Sequence, residues 1–325
     1  MLADVAAMYY LQEKTQSEIA EALGVSRVKV YRLLKEARDG GVVEIIIHRS
    51  RPRSDKLEQE LRERFDLTDA LVLDTRGMEQ ADLWRGMGEI GARYVEKLLK
   101  DDSTIAICLG RSTYEVVHAM RTDLHRQVRI AQALDSIPFA TQELDSGALA
   151  RQLANKLGGE VLYLPSPMIA DNAEAAAVLR RQPAIERTLA AAREADLALL
   201  GIGNLNPAES RLIVATGFSD EQLAAMLAEG AVGDIIGQIF TRDGHLYPSE
   251  LTDSIIGLTL EELRCIQTVV AVAFGMSKAE AILGALRTGV VDVLATDDSA
   301  AREILRMGET RTVRRRCQSN PKSNE

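Results

Sequence analysis

The chain has 325 residues, 46 % of them hydrophobic, and a formal net charge of −9, enough apolar material for at least two cores and the wrong sign for a protein that coats nucleic acid over most of its surface. No basic N-terminal stretch leads into an apolar one, and no apolar run reaches the roughly 20 residues that span a bilayer, so no membrane partner is expected and the chain reads as cytoplasmic. Cys108, Cys265 and Cys317 lie far apart without a CxxC pair, and the histidines show no ligand spacing, so a disulfide framework, a metal and a cofactor are all unexpected.

Between Met1 and Arg53, Lys and Arg slightly outnumber Asp and Glu, whereas the remaining chain is strongly acidic. A small basic head on an acidic body suits local contact with DNA. Thr15 and Glu18 form the TxxE pattern of a capping box, and Ile19, Ala20 and Leu23 give the helix that begins near Gln16 one apolar face. Gly24 breaks that helix, Val25 turns back to the core, and Ser26 caps a second helix with the apolar stripe Val30, Leu33, Leu34 and Ala37. Two helices joined by a tight glycine turn make a helix-turn-helix from Gln16 to Lys35. With the stripe buried, Ser26 stays at the start of the second helix and Arg27, Val28, Lys29 and Arg32 are placed to reach base edges in a major groove. Gln16, Ser17, Tyr31 and Lys35 fall nearer the phosphates. Gly40 and Gly41 stop the helix, and Val42, Val43, Ile45, Ile46 and Ile47 read as a strand that forms a wing. The competing reading is a plain helical hairpin with a solvated basic face. Each base-reading side chain is worth about 1–3 kcal/mol of discrimination, so one head gives modest specificity, and a dimer or higher oligomer that places two heads on two half-sites is expected.

Arg49 to Asp55, charged and containing Pro52, reads as a connection, which places a DNA-binding domain at 1–53, an effector domain at 54–310 and a disordered tail at 311–325. Leu57, Leu61 and Phe65 recur at spacing four, an amphipathic helix suited to a domain or subunit contact. From Ala70 onward, short strands (70–73, 104–109, 128–133, 197–202, 268–273, 291–295) alternate with helical stretches (80–99, 146–157, 185–195, 220–228, 278–286, 299–307). That alternation is the mark of an α/β sheet with parallel strands and crossover helices, in which small ligands sit at the carboxyl ends of strands. Four loops there carry chemistry. Gly110, Arg111, Ser112 and Thr113 open a helix after a strand, bringing N–H groups, two hydroxyls and a guanidinium to one place, a cradle for a phosphate or a polyol. Gly201, Gly203 and Asn204 form a tight loop, and Asp234, at the start of an apolar strand, is an acceptor for a sugar hydroxyl. Gly275 to Lys278 puts a lysine at a helix N-terminus, an awkward position beside the positive end of the helix dipole that a bound anion relieves. Trp84, on a long helix, reads as core.

On these residues the chain resembles the SorC family of sugar-responsive transcription regulators. The head segment YYLQEKTQSEIAEALGVSRVKVYRLLKEARDGGVVEIII and the later runs GAVGDIIGQIF, LTDSIIGLTLEELR and SKAEAILGALRTGVVDVLATDDSA carry the likeness. The resemblance implies a winged helix-turn-helix joined to an α/β effector domain with a mostly parallel sheet, related to sugar-phosphate isomerases. It also implies a sugar, sugar phosphate or polyol bound near Gly110, Arg111, Ser112, Thr113, Asp234, Gly275 and Lys278, and assembly as a homodimer or homotetramer. Phe274 stands where the family usually has a glycine, which narrows the pocket or offers a face to a sugar, and Thr252 and Ser254 replace the Asn and Arg of the ELNDR pattern. The expected function is operator binding controlled by a small carbohydrate, with no catalytic residues. The alternatives are a sugar-phosphate isomerase-like enzyme fused to a DNA-binding head, with Asp234 and Lys278 as its acid and base, and a scaffold that binds DNA without any ligand.

Overall fold

The computed structural model describes residues 1–43, 51–122, 124, 126–135 and 145–308, and the chain divides into two compact units, Met1–Ser50 and Arg51–Glu325.

The first unit contains α1 (Leu2–Tyr10), α2 (Gln16–Leu23) and α3 (Arg27–Asp39). Its core is Val5, Ile19, Ala20, Val30, Leu33 and Leu34. Val5 comes from α1, which the sequence reading passed over although Leu2, Val5, Ala6 and Tyr9 have helical spacing. Leu23, expected in this core, is instead 38 % exposed. It is the last residue of α2, where the chain turns away at Gly24. Of the expected wing strand, Val42 and Val43 lie in a bend, and residues 45–47 fall outside the described residues.

The second unit begins with α4 (Asp55–Phe65), β1 (Asp69–Leu73), α5 (Gln80–Leu98), β2 (Thr104–Ile107), α6 (Arg111–Ala119), β3 (Arg129–Gln132), α7 (Ser146–Leu157) and β4 (Glu160–Leu162). Then come α8 (Ala173–Arg180), α9 (Pro183–Arg193), β5 (Leu197–Gly201), β6 (Gly203–Asn204), α10 (Arg211–Thr216), α11 (Asp220–Ala228), β7 (Ala231–Ile235) and β8 (Gln238–Thr241). It closes with α12 (Glu250–Ser254), α13 (Leu260–Leu263), β9 (Thr268–Val272), a 3-10 turn (Met276–Lys278), α14 (Ala279–Thr288), β10 (Val293–Asp297) and α15 (Asp298–Met307).

Seven strands form one parallel sheet in the order β1-β10-β9-β5-β2-β3-β4. Both of its faces are covered, and β9 shows how. Val269 and Ala271 enter one apolar cluster together with Leu61, Phe65, Leu189 and Ile282, while Val270 and Val272 enter another with Met87, Val95, Val117 and Leu153. A strand buried on both faces needs an unbroken apolar run, not an alternating one. The apolar face of α4 is consumed here, with Leu57 at 5 % and Leu61 and Phe65 at 0 % exposure, so of the two contacts expected for it, domain or subunit, it makes the domain contact. A second, antiparallel sheet, β6-β7-β8, grows from the end of β5.

The chain steps from β2 outward to β3 and β4, then returns with β5 on the other side of β2. The carboxyl ends of β2 and β5 therefore flank the point where the winding reverses, the place where such sheets leave a crevice for ligands. Among the described residues no helix is long and apolar enough to cross a membrane, and no cluster of His, Cys, Asp and Glu has metal-holding geometry. Cys108 is free and buried. The expected tail at 311–325 lies outside the described residues.

Candidate DNA-reading face and effector site

Two caps fix where α2 and α3 begin. The Thr15 N–H donates to Glu18 Oε2 at 2.8 Å and the Glu18 N–H donates to Thr15 Oγ1 at 3.3 Å, closing the capping box. Gly24 takes φ of +63° between the helices, a left-handed conformation that costs glycine nothing. Ser26 Oγ then accepts from the Lys29 N–H at 3.2 Å. With Val30, Leu33, Leu34 and Ala37 buried, Ser26, Arg27, Val28, Lys29, Tyr31, Arg32 and Lys35 are exposed together with Ser17 of α2, and Gln16 is half-buried. Among the described residues none of Arg27, Lys29, Arg32 and Lys35 is in an ion pair. Cations held in no ion pair hold a positive potential that phosphates neutralise, with release of condensed counterions.

The effector-site candidates gather at the carboxyl edge of the large sheet. After β2, Thr113 is fully buried and its Oγ1 donates to Cys108 O at 2.9 Å and to Gly110 O at 2.8 Å. Its hydroxyl fastens the loop, and the expectation that two hydroxyls face a ligand there is corrected at this residue. Ser112 is 6 % exposed and its hydroxyl has no partner among the described residues. Arg111 is exposed, and its guanidinium carbon lies 4.3 Å from the ring centre of Trp84. Trp84 in turn meets Phe274 edge to face, with centroids 4.5 Å apart. Trp84 packs half-buried against the core, as its place on the long helix suggests, and also joins the loop after β2 to the loop after β9.

A polar cluster forms around β6 and β7. Asp234 is the fourth of the five residues of β7, not at its start, and pairs in register with Gly203. A Cβ on Gly203 would fall 2.0 Å from Asp234 Oδ1, so only glycine lets the carboxylate lie against that backbone. Asp234 Oδ2 accepts from the Gly237 N–H at 3.1 Å. Burial pushes its carboxyl up to about 6, while the Gly237 N–H and the Lys278 charge pull the other way. Lys278 closes the 3-10 turn before α14, and its Nζ donates to Ile202 O at 3.0 Å. Burial pulls the Lys278 ammonium below its ordinary range, against the charges of Asp234 and Glu209. The helix-dipole strain anticipated at Lys278 is thus met by Ile202 and Asp234, without an anion.

Glu209, which carries no sequence signal, accepts from Asn204 Nδ2 at 2.8 Å and from Ser277 Oγ at 3.3 Å. Gly275 takes φ of +92° and its N–H donates to Asp297 Oδ1 at 2.8 Å, holding the loop after β9 against β10. Cys108, at the end of β2, is pushed up to about 12 by burial and by the Asp234 charge, so its thiol is not a nucleophile near neutral pH. Thr252 and Ser254 are buried, and the Ser254 hydroxyl donates to Glu250 O at 2.8 Å. Together, Asp234, Lys278, Glu209 and Asn204 offer acceptors and one cation at the sheet edge, a set suited to hydroxyl groups.

Residues 52–306 match the family model described as "Putative sugar-binding domain", and residues 3–63 match a winged helix-turn-helix model. The chain is 28 % identical over 302 residues to the deoxyribonucleoside regulator of Bacillus subtilis, covering 93 % of this chain and 96 % of that one. It is 31 % identical over 311 residues to the transcriptional regulator LsrR of an Enterobacter species, covering 94 % and 92 %. Among solved structures, the full-length sorbitol operon regulator SorC from Klebsiella pneumoniae superposes with a TM-score of 0.76 at 25 % identity, over 94 % of this chain and 97 % of that one.

Proposed function

The chain belongs to the SorC family of sugar-binding transcriptional regulators, and from that premise we propose how it reads DNA and what controls the reading. Arg27, Val28, Lys29 and Arg32 read base edges, and Gln16, Ser17, Ser26, Tyr31 and Lys35 hold phosphates. The effector, a sugar, sugar phosphate or polyol, binds at the carboxyl edge of the parallel sheet. Asp234 accepts from its hydroxyls and Lys278 donates to it, Arg111 and Ser112 close one side, and Gly110, Thr113 and Gly275 give the loops their shape. Binding there shifts operator affinity of a homodimer or homotetramer, a coupling of about 1–3 kcal/mol.

The observation that carries this reading is the joining of an unpaired basic helix face to a sheet edge where Asp234 and Lys278 lie within each other's field. The names of two similar proteins refer to deoxyribonucleosides and to the sorbitol operon, so deoxyribose derivatives and hexitols join the ligands to screen. The test is fluorescence anisotropy on DNA from the region upstream of the gene, with and without these compounds. Tight binding that one of them alters supports the account. Failure to bind any upstream fragment, with every compound tried, contradicts it.

One observation favours a second reading. A carboxyl held up to about 6 beside a lysine has the acid–base character that sugar isomerisation needs. We read the site as a receptor because the similar proteins are regulators. Turnover of a sugar phosphate that disappears in Asp234→Asn would reverse that assignment.

A further inference from the structure

The second unit begins at Arg51, and its first residues are held more firmly than a connection needs. Residues 52–54 run antiparallel to the end of β1 as an added edge strand. The Ser54 N–H donates to Val72 O and the Asp74 N–H to Pro52 O, both at 2.9 Å, with Arg53 opposite Leu73. Two forks pin this segment. Arg53 donates to both carboxylate oxygens of Glu58 on α4, at 2.6 and 2.8 Å, and Glu58 also accepts from the Val72 N–H at 2.8 Å. Arg51 donates to both oxygens of Glu89 on α5, at 2.5 and 3.0 Å. A bidentate pair fixes direction as well as distance, so the residue from which the chain continues into the head is oriented by α5.

The same helix touches the effector-site loops. Trp84 lies five residues before Glu89, about 7.5 Å along the axis and about 140° around it. It meets Arg111 of the loop after β2 and Phe274 of the loop after β9, so neither loop can shift without pressing on α5. Between the two contacts the helix is seated closely on its neighbours. A Cβ at Gly86 would fall 2.9 Å from Leu73 Cδ2, one at Gly88 2.5 Å from the Glu115 carbonyl oxygen of α6, and one at Gly91 2.7 Å from Val116 Cγ2. Glycine weakens a helix interior, and these close approaches are what each of the three makes possible. A helix packed at this density passes on a displacement that loosely packed side chains would absorb.

We propose that Trp84, Glu89 and Arg51 form a relay along α5, by which a change in the loops after β2 and β9 is felt at the residue that carries the head. This rests on the sheet edge being the effector site and on the head binding DNA. Glu89 and Arg51 are positioning residues, acting through the chain segment they hold.

Coupling between two sites is reciprocal, so the relay is readable from the DNA end without an effector. Trp84 is the one tryptophan of the chain, and indole emission reports the effector end of α5. Full-length protein is titrated with a labelled duplex from the region upstream of the gene and, as a control, with a shuffled duplex of equal length, and anisotropy and indole emission are read together. The expected result is a saturable emission change that tracks the anisotropy of the upstream duplex and is absent with the shuffled one. Its amplitude at saturation should fall to about a third or less in Glu89→Gln and in Arg51→Met, and by less in Arg51→Lys, which keeps the charge but loses the fork. A purely structural ion pair would lower the thermal midpoint of these variants and leave the amplitude at saturation as in the parent, which overturns the relay. Specific DNA binding that leaves Trp84 emission unchanged overturns it too, and in both cases the sensor account stands. If no upstream duplex binds at all, the reading of the head as a DNA reader falls, and the relay with it.

Discussion

The head and the effector domain carry their candidate residues in opposite ways. Most of those of the head sit in water at the start or on the face of one helix, from Ser26 to Lys35, with Gln16 and Ser17 on the helix before it, and among the described residues Arg27, Lys29, Arg32 and Lys35 are in no ion pair. Those of the effector domain come from loops after β2, β5 and β9 and from β7; Arg111 is exposed, Ser112 and Thr113 are buried, and Asp234 and Lys278 are half-buried within each other's charge. Exposed cations act nearly independently and are screened by salt, whereas groups that share a buried cluster are coupled, so that removing one changes the others. The head should therefore respond to mutation in small, additive, salt-dependent steps, and the effector site in large, cooperative ones.

The largest effect that would expose this contrast is expected at Lys278. Lys278→Met leaves Asp234 and Glu209 without their cation, and truncating one member of a buried charge cluster costs about 3 kcal/mol or more. Effector affinity, read by calorimetry, should fall roughly 100-fold. A loss below about threefold would mean that the site is no more coupled than the head.

Next in size is the pH response. The Asp234 carboxyl is raised from 3.8 to about 6 in the folded protein, so the native state takes up its proton before the unfolded chain does. This group therefore costs stability at pH 7, and the cost is relieved as pH falls from 7 through 6 toward 4. The relief is on the order of 2 kcal/mol, one unit being about 1.4 kcal/mol. Thermal midpoints between pH 7 and pH 5 should show Asp234→Asn gaining on the parent at pH 7 and losing that advantage at pH 5. A difference that does not change with pH would place the Asp234 titration elsewhere.

At the head, Arg27→Ala and Arg32→Ala should each cost about 1–2 kcal/mol of operator affinity, and the double variant their sum within a few tenths. Lys35→Ala should instead flatten the slope of log affinity against log salt by about 1. Marked non-additivity between Arg27 and Arg32 would break the contrast from the other side. The smallest effect is expected at the capping box: Thr15→Ala removes the two bonds that the Thr15 hydroxyl makes with Glu18, leaves the one donated by the Thr15 N–H, and should destabilise the head by about 1 kcal/mol, read by thermal unfolding.

The same contrast explains what could be read from the sequence. The face of α3 follows from local rules alone, because Ser26 and Gly24 set the helix start and the 3.6-residue period then decides which side chains the core takes. The strands β2, β5 and β9 were legible to within a few residues because each is a run of almost wholly apolar residues, and β10 because Val293, Leu294 and Ala295 stand together between polar residues. The short β4, edge strand of the sheet, has only half-buried or exposed residues and carries too weak a pattern. Asp234, Lys278 and Arg111 were legible as loop chemistry, but their partners were not. Glu209 sits in a turn with no motif, and Trp84 is 27 positions before Arg111, so only the fold brings them together. Thr113 erred for a local reason, since a hydroxyl in the first turn of a helix satisfies the preceding backbone carbonyls as readily as a ligand.

The central claim is that occupancy of the sheet edge controls the hold of α3 on DNA, and reciprocal linkage makes it measurable in one titration. The ratio of operator dissociation constants with and without the compound that most raises the thermal midpoint should be measured by anisotropy for the parent protein and for Asp234→Ala. The account predicts a ratio of about 5- to 150-fold in the parent, collapsing toward one in Asp234→Ala at the same concentration. A ratio of one in the parent, or an Asp234→Ala variant that responds as the parent does, would contradict it.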